Sequence, residues 1–443
     1  MKSSLIDIKI FLKGLHPVTI ACFGYISYIM FGWILLSLPF TQITNISALD
    51  NLFTSASAVS TTGLTTISIS DSYSFLGELI VLILIQLGGI GYMTFSSFII
   101  LSGRKNLSQE RTKVSNTVFS LPKNFVVYKF IKSVVIFTVI IEFIGAIFLF
   151  LIFRASDIPN PLWSAVFHSI SAFCTAGFSL YNNSFESFTN NFWLNLVISV
   201  LSYSGAVGFI VFVDIWRMIR GKIENITLTS KIILHMTFWL SMIGTLNIFL
   251  TESSIQQFPT DERLIASFFQ AMTALTTVGF NTIPISSVTR ASVILLTVLM
   301  VIGASPSGTG GGIKSTTLSA MLGVMGSVLK GELKVSFWKN EIPCERVWTA
   351  TATFCFYISF LLIGIYFLEL TESFKFEQIV FEAASALGTV GLSMGITGNL
   401  TKLGKIILIF LMFIGRLGPL TFGMVLFLKK NILYQEEEKD IAI

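Results

Sequence analysis

Of the chain's 443 residues 53 % are hydrophobic and only 12 % charged, with a mean hydropathy of +0.79, so its apolar side chains cannot all be hidden in a water-soluble core. Composition therefore excludes a soluble globular protein and leaves an integral membrane protein. The formal charge of +5 is small and calls for no nucleic-acid partner; four scattered cysteines (Cys22, Cys174, Cys344, Cys355) and three isolated histidines (His16, His168, His235) have no ligand spacing, which excludes a disulfide framework and a metal cluster.

In chain order, residues 1–17 form an amphipathic, Lys-bearing start (Lys2, Lys9, Lys13) that leads into a full-length apolar run rather than a short cleavable signal. Apolar runs near or above the ~20 residues that cross a bilayer follow at 18–39, 76–101, 131–153, 193–216, 231–250, 348–368 and 404–428. An eighth, near 291–329, is interrupted by a polar, glycine-rich insert. The runs pair into four units, 18–102, 131–217, 231–329 and 348–428, separated by connections at 103–130, 218–230 and 330–347 and followed by a tail at 429–443. The expectation is an all-α membrane protein with eight spanning helices.

One phrase recurs without a gap inside each unit: Phe53 to Leu64 (FTSASAVSTTGL), Phe167 to Phe178 (FHSISAFCTAGF), Phe269 to Phe280 (FQAMTALTTVGF) and Phe381 to Leu392 (FEAASALGTVGL). Ser or Thr stands four residues after the Phe (Ser57, Ser171, Thr273, Ser385), then Ala (Ala58, Ala172, Ala274, Ala386). Each phrase is too short to span and reads as a re-entrant half-helix. Four equivalent short loops are what is needed to surround an axis.

Outside the two basic residues within the membrane pattern, Lys314 and Arg416, one side of the chain carries only Arg154, Arg263, Arg290, Lys375, Lys402 and Lys405, and the other side all the remaining Lys and Arg. The positive-inside rule then places both termini in the cytoplasm and lets all four phrases enter from outside. The first outer connection, 40–75, holds no Lys or Arg, which suits an approaching cation.

Every phrase closes on Thr-x-Gly: Thr61-Thr62-Gly63, Thr175-Ala176-Gly177, Thr277-Val278-Gly279 and Thr389-Val390-Gly391. Backbone carbonyls aimed at an axis can replace the water around a monovalent cation without a fixed charge that would trap it, and glycine supplies the unusual dihedrals this requires. The carboxyl-terminal, negative end of each half-helix would face the cation. No copy carries a carboxylate at its Gly or beside it, so a divalent-selective ring is not expected. The alternative for any one copy is a common turn after a helix; four in frame argue against it.

The third inner helix runs from Gly303 through Ala304-Ser305-Pro306-Ser307-Gly308-Thr309-Gly310-Gly311-Gly312 to Lys314. Such a backbone is tolerated at membrane depth only against protein or a water-filled cavity, so the loop 303–317 should lie in the pore. It lacks the spacing of a phosphate-binding loop. Arg416 is the second anomaly: a mid-helix charge costs about 2.5–3.5 kcal/mol on insertion scales and should face a partner or water. Glu142 is expected in helix packing, Glu382 as an anchor of the fourth half-helix, and Asp214 with Trp216 and Arg217 at the inner interface.

On these motifs the chain resembles the membrane subunit of a potassium transporter of the Trk/Ktr/HKT superfamily, most closely its KtrB-like branch, over nearly its whole length. The resemblance implies four M1-P-M2 units around a pseudo-fourfold pore, potassium selectivity from Gly63, Gly177, Gly279 and Gly391, and potassium bound by carbonyls of the Thr-x-Gly segments. It implies that Gly303, Ser305, Ser307, Gly308, Gly310, Gly311, Gly312 and Lys314 belong to a gate beneath the filter, with Arg416 beside it. Relatives with Ser at the first filter position admit sodium; Gly63 favours potassium. The family also implies a homodimer in the plasma membrane and a cytosolic ring that binds adenine nucleotides. That ring would be met by the basic segments Arg104 to Lys132 and Lys330 to Arg346 and by the tail. Sodium is a common activator in that branch, and no residue here derives it.

No nucleotide-binding or phosphorylated-Asp signature supplies energy, and no organic cofactor is expected. A secondary transporter with a midplane site, sodium-coupled or sodium-permeable, is the alternative; it predicts broken helices in paired, inverted positions, whereas only one inner helix reads as broken. A membrane enzyme is the remote third class, because the membrane segments hold no catalytic-looking cluster.

Overall fold

A computed structural model describes residues 17–91, 127–332, 334–338 and 340–427. The expected cytoplasmic N-terminus up to 16, most of the 103–130 connection and the tail at 429–443 lie outside the described residues, as do the basic surfaces they carry. The regular structure among the described residues is helical, apart from a two-residue antiparallel pair, β1 (Ser336–Phe337) with β2 (Asn340–Glu341).

Helix is the expected answer for apolar runs, because a bilayer offers no partner to an open N–H or C=O. Three helices form each of four sets in chain order. The first set is α1 (Pro17–Leu36), α2 (Ala48–Val59) and α3 (Phe75–Ile90); the second is α4 (Val127–Ala155), α5 (Pro161–Phe173) and α6 (Phe192–Ala206), extended by α7 (Phe209–Ile219). The third is α8 (Leu228–Thr251), α9 (Thr260–Thr276) and α10 (Arg290–Ile302), resumed as α11 (Ser315–Leu329); the fourth is α12 (Cys344–Thr371), α13 (Phe376–Leu387) and α14 (Lys402–Leu417), extended by α15 (Pro419–Phe427). Within each set the long outer helix and the inner helix both pack on the short middle one. Between sets, α3 meets α5, α6 meets α9, α10 meets α13, and α14 returns to α2. The succession of contacts closes on itself.

The short helices are the core. The phenylalanines that open the repeated phrase within them, Phe53, Phe167, Phe269 and Phe381, are all fully buried, whereas α4 turns Phe143, Ile147 and Leu151 outward. Apolar side chains gain little by leaving lipid for protein, so helices here associate through close packing at small residues. A Cβ on Gly88, Gly205 or Gly415 would run into the carbonyl oxygen of Val59, Phe173 or Leu387, each in the last turn of a short helix. The third set has Met300 at that place instead of glycine.

Two expectations about the inner helices need correction. The runs at 193–216 and 404–428 are not continuous spans: α6 and α7 are bent by 94° and α14 and α15 by 98°. Helix α3 ends at Ile90, and the rest of the 76–101 run from 92 on lies outside the described residues. Positive φ at Gly91 (84°), Gly208 (93°), Gly303 (59°) and Gly418 (87°) terminates all four inner helices, so the third is not alone in being broken. Apolar composition hides the bend at Gly208, because the residues beyond it are as apolar as those before it, whereas Gly418 is followed by Pro419, a helix-break signal that apolar content alone passes over. Among the described residues four helices are long and apolar enough to cross a membrane (Thr19–Leu36, Lys132–Ala155, Leu228–Thr251, Cys344–Thr371), and up to six if each bent pair counts as one span.

Candidate ion site

All four short helices end in the same way. Three residues after the Ala of each Ser/Thr-Ala pair stands a threonine in the left-handed region: Thr61 (φ 52°), Thr175 (51°), Thr277 (60°) and Thr389 (48°). Its N–H donates to the Ala carbonyl of the phrase (Ala58, Ala172, Ala274, Ala386), while the next N–H reaches back to the Ser/Thr carbonyl: Thr62 to Ser57 (2.9 Å), Ala176 to Ser171 (2.8 Å), Val278 to Thr273 (3.1 Å) and Val390 to Ser385 (2.8 Å). These are the paired bonds of a Schellman helix stop, usually built on glycine. A non-glycine residue held there costs of order 1–3 kcal/mol, and strain of that kind concentrates at functional sites.

The glycine two residues on again takes a positive φ, 87° at Gly63, 64° at Gly177, 84° at Gly279 and 96° at Gly391. Its surroundings order the segments. A Cβ on Gly63 would strike the Ala176 carbonyl, on Gly177 the Val278 carbonyl, on Gly279 the Val390 carbonyl and on Gly391 the Thr62 carbonyl. One–two, two–three, three–four and four–one is a closed cycle. The predicted residues are thus brought together, with the glycines shoulder to shoulder and no room for side chains between neighbouring strands.

Support for the cycle differs by unit. Ser57 and Ser385 accept the N–H of Gly63 and Gly391 at 3.1 Å each, whereas Ser171 donates to the Phe178 carbonyl at 2.8 Å. The second residue of the phrase pins the chain twelve residues on in three units: His168 Nε2 takes the Leu180 N–H (3.3 Å), Gln270 Oε1 that of Thr282 (3.4 Å) and Glu382 Oε1 that of Met394 (3.1 Å). Glu382 also receives the Ser393 and Thr397 hydroxyls, so it anchors the segment that leaves the cycle rather than facing its axis.

The 303–314 loop lies against the inner side of the same threonines. Thr309 Oγ1 is 3.1 Å from Thr175 Oγ1 and donates to the Phe173 carbonyl at 3.1 Å; the Gly311 N–H donates to Thr277 Oγ1 at 3.1 Å. A Cβ on Gly310 would strike Thr277, and one on Gly311 would strike Thr389. Gly303 and Gly312 meet at the base of the loop, where a Cβ on Gly303 would lie 2.7 Å from the Gly312 Cα. Ser305 and Ser315 hydroxyls pair at 3.1 Å. The break at Gly208 explains how so irregular a backbone is satisfied: Ser305 N–H donates to Ala206 O (3.0 Å), Thr309 N–H to Gly205 O (3.0 Å), and Phe209 N–H to Ser307 O (3.2 Å). A Cβ on Gly308 would press on the Ala206 carbonyl as well.

Both intramembrane cations hold this loop. Lys314 Nζ donates to Gly310 O at 2.6 Å, and Arg416 donates to the carbonyls of Thr309, Gly88 and Gly89. Arg416 makes no ion pair with a carboxylate among the described residues. Its charge is met by carbonyl dipoles, which places it under the cycle as a tie between loop and inner helix.

Sequence reading missed Thr309, although its side chain makes the loop's direct contact with the second Thr-x-Gly segment. It also missed Glu252 and Glu372, which cap the outer helices and accept Thr289 and Thr401 at the starts of α10 and α14 (Glu252 Oε2 to Thr289 N, 3.0 Å; Glu372 Oε1 to Thr401 Oγ1, 2.5 Å). A signal existed: Leu-Thr-Glu-Ser occurs at 250–253 and again at 370–373.

The outer ends of the sets are tied in the same order as the glycines. Asn182 bonds Asp71 (2.8 Å), Asn281 bonds Glu186 (2.8 Å), Arg290 pairs with Glu377 (3.1 Å) and Lys405 pairs with Asp50 (2.7 Å). Arg290 and Lys405 are thereby paired with carboxylates, and Arg263 is turned onto the Phe249 carbonyl and ring. No group of three or more His, Cys, Asp or Glu that could hold a metal ion occurs among the described residues. What the site offers a cation is carbonyl and hydroxyl oxygen.

Residues 29–432 match the family described as TrkH: Cation transport protein. The chain is 35 % identical over 415 residues to the Ktr system potassium uptake protein B of Bacillus subtilis (92 % of each chain) and 34 % identical over 429 residues to the potassium/sodium uptake protein NtpJ of Enterococcus hirae (95 % of this chain, 94 % of that one). Among solved structures, the potassium transporter TrkH from Vibrio parahaemolyticus superposes with a TM-score of 0.70 at 20 % identity, covering 91 % of this chain and 84 % of that one, a likeness of fold.

Proposed function

The chain belongs to the TrkH family of cation transport proteins and is a multi-pass membrane protein, and on that footing we propose that it takes up potassium through the cycle of Thr-x-Gly segments. In this reading the sets 18–102, 131–217, 231–329 and 348–428 are four M1-P-M2 units about a pseudo-fourfold pore. The carbonyls of 61–63, 175–177, 277–279 and 389–391 line its filter, with both termini cytoplasmic. The observation that carries it is the closed order of the glycine contacts, one strand's carbonyl against the next strand's glycine four times over. A filter needs its oxygens held at fixed separation around an axis, and glycines packed this tightly supply that.

The loop 303–314, tied by Lys314 and Arg416 against the underside of the threonines, is the closed gate. Regulation by a cytosolic nucleotide-binding ring, a homodimeric assembly and activation by sodium follow from the Ktr-like branch and complete the proposal. The potassium/sodium relative NtpJ makes the sodium question worth asking of this chain. A secondary transporter with a midplane site is the rival. Its signature is paired breaks in inverted repeats; the breaks at Gly91, Gly208, Gly303 and Gly418 instead recur at one place in four units of the same order, which favours the pore.

Rubidium uptake into proteoliposomes holding the purified protein, with potassium, sodium or lithium as competitor, tests the reading. Block by potassium and not by equal sodium is the expected result. Equal competition by sodium would overturn the selectivity claim, and saturable flux strictly requiring a co-transported ion would favour the rival.

A further inference from the structure

Glu142 is a buried carboxyl group without a role in the scheme above. It sits midway along α4, 7 % exposed, where an ionisable side chain at membrane depth is rare and marks a function more often than packing. Its Oε2 accepts from Gln86 Nε2 on α3 at 3.1 Å, and its Oε1 lies 3.8 Å from Cys174 Sγ, which is itself 3.6 Å from Gln86 Oε1. Ser169 on α5 bonds the Glu142 carbonyl at 2.6 Å. One carboxyl group therefore joins three elements from two units.

What matters is where those elements lead. Gln86 lies two and three residues before Gly88 and Gly89, within one helical turn and about 3–5 Å along the axis, and the carbonyls of these two glycines accept from Arg416. Cys174 immediately precedes Thr175, whose hydroxyl donates to the Cys174 carbonyl at 2.7 Å and faces Thr309 Oγ1 at 3.1 Å. A Cβ on Gly89 would strike Cys174 Sγ, so the two arms also touch each other. The Arg416 acceptors on the first unit and the Thr309 contact on the second are thus backed by a single side chain on α4.

We propose that Glu142 is a positioning residue of the gate: through Gln86 and Cys174 it holds the end of α3 and the second Thr-x-Gly segment in the register that the loop needs to stay latched. The inference rests on the pore reading of the previous subsection. It assigns Glu142 more than the packing role its sequence context suggested, and it gives Gln86 and Cys174 a common purpose.

The test uses full-length protein in proteoliposomes and reads rubidium flux without any cytosolic partner. Glu142→Leu removes both arms and should raise flux by about fivefold, the shift expected when one or two hydrogen bonds leave a closed state. Glu142→Gln keeps an acceptor and a donor at the same place and should stay near wild type. In an Arg416→Ala background Glu142→Leu should add nothing, because the latch it serves is already gone. If Glu142→Leu does not assemble, Gln86→Met severs the same arm from the other side and should leak likewise. Wild-type flux from an assembled Glu142→Leu or Gln86→Met protein, or effects that multiply with Arg416→Ala, would overturn the proposal. Loss of potassium preference in the wild type would instead bring down the pore reading on which it depends.

Discussion

At the scale of single residues, the site is made by backbone conformations that side chains ordinarily avoid. Thr61, Thr175, Thr277 and Thr389 sit in the left-handed region although glycine would do so at no cost. Thr175, Thr277 and Thr389 keep a hydroxyl against the loop, and Thr175 and Thr277 use it to bond Thr309 and Gly311. The glycine that follows cannot be exchanged: at Gly279 a side chain meets both an unfavourable φ of 84° and the Val390 carbonyl. Gly279→Ser should therefore displace the Val390 carbonyl and lower the preference for potassium over sodium by roughly tenfold, about 1.4 kcal/mol, measured by competition against rubidium uptake. An unchanged competition profile would count against the filter.

At the scale of elements, the inner helices matter most where they stop. A helix end leaves carbonyls and N–H groups without intrahelical partners, and the Gly205, Ala206 and Phe209 groups freed at the α6–α7 bend are taken up by the 303–314 loop. The loop in turn exists because α10 ends at Gly303, with Met300 in place of the glycine that lets α3, α6 and α14 approach their short helices closely. Two broken helices satisfy one another. Arg416 adds bonds to three carbonyls, and hydrogen bonds to a charged group contribute about 1.5–3 kcal/mol each, enough to offset the cost of a charge at that depth. Deleting 308–312 removes Thr309 together with its contacts and should raise rubidium flux several-fold; a correctly inserted but inert protein would show that the loop is structural.

At the scale of the whole molecule, stability and function share one topology. The outer ties follow the same cyclic order as the glycines, and the last of them, Lys405 with Asp50, joins the fourth unit to the first. Burial pushes the Asp50 carboxyl upward, yet hydrogen bonds from Lys405, Ser47 and Thr66 and the Lys405 charge outweigh it and hold the group below its ordinary range. A depressed carboxyl contributes stability that is fully present above its unfolded value and is lost as pH falls through the folded one. Wild type and Asp50→Asn should therefore differ by a few degrees in melting temperature at pH 7 and converge as pH is taken below about 4. A difference that persists in acid would mean that the tie acts through packing.

Much of this was legible in the residues. A chain too apolar for a soluble core must be helical in a bilayer, because helices satisfy their own backbone there. A phrase repeated four times must adopt four similar conformations, since each Ser/Thr-Ala-x-x-Thr-x-Gly can close the same two hydrogen bonds at short range. Local chemistry settled those points, and it also marked the 303–314 loop and Arg416 as out of place in lipid. Long-range closure was decided elsewhere. Nothing at Gly63 announces the Ala176 carbonyl 113 residues away, nothing in an unbroken apolar run betrays the bend at Gly208, and Glu142 looks like a stray charge until Gln86 and Cys174 are folded against it. Sequence period and composition report which surfaces must be buried; which partner buries them depends on contacts between units, and only the tertiary structure contains those.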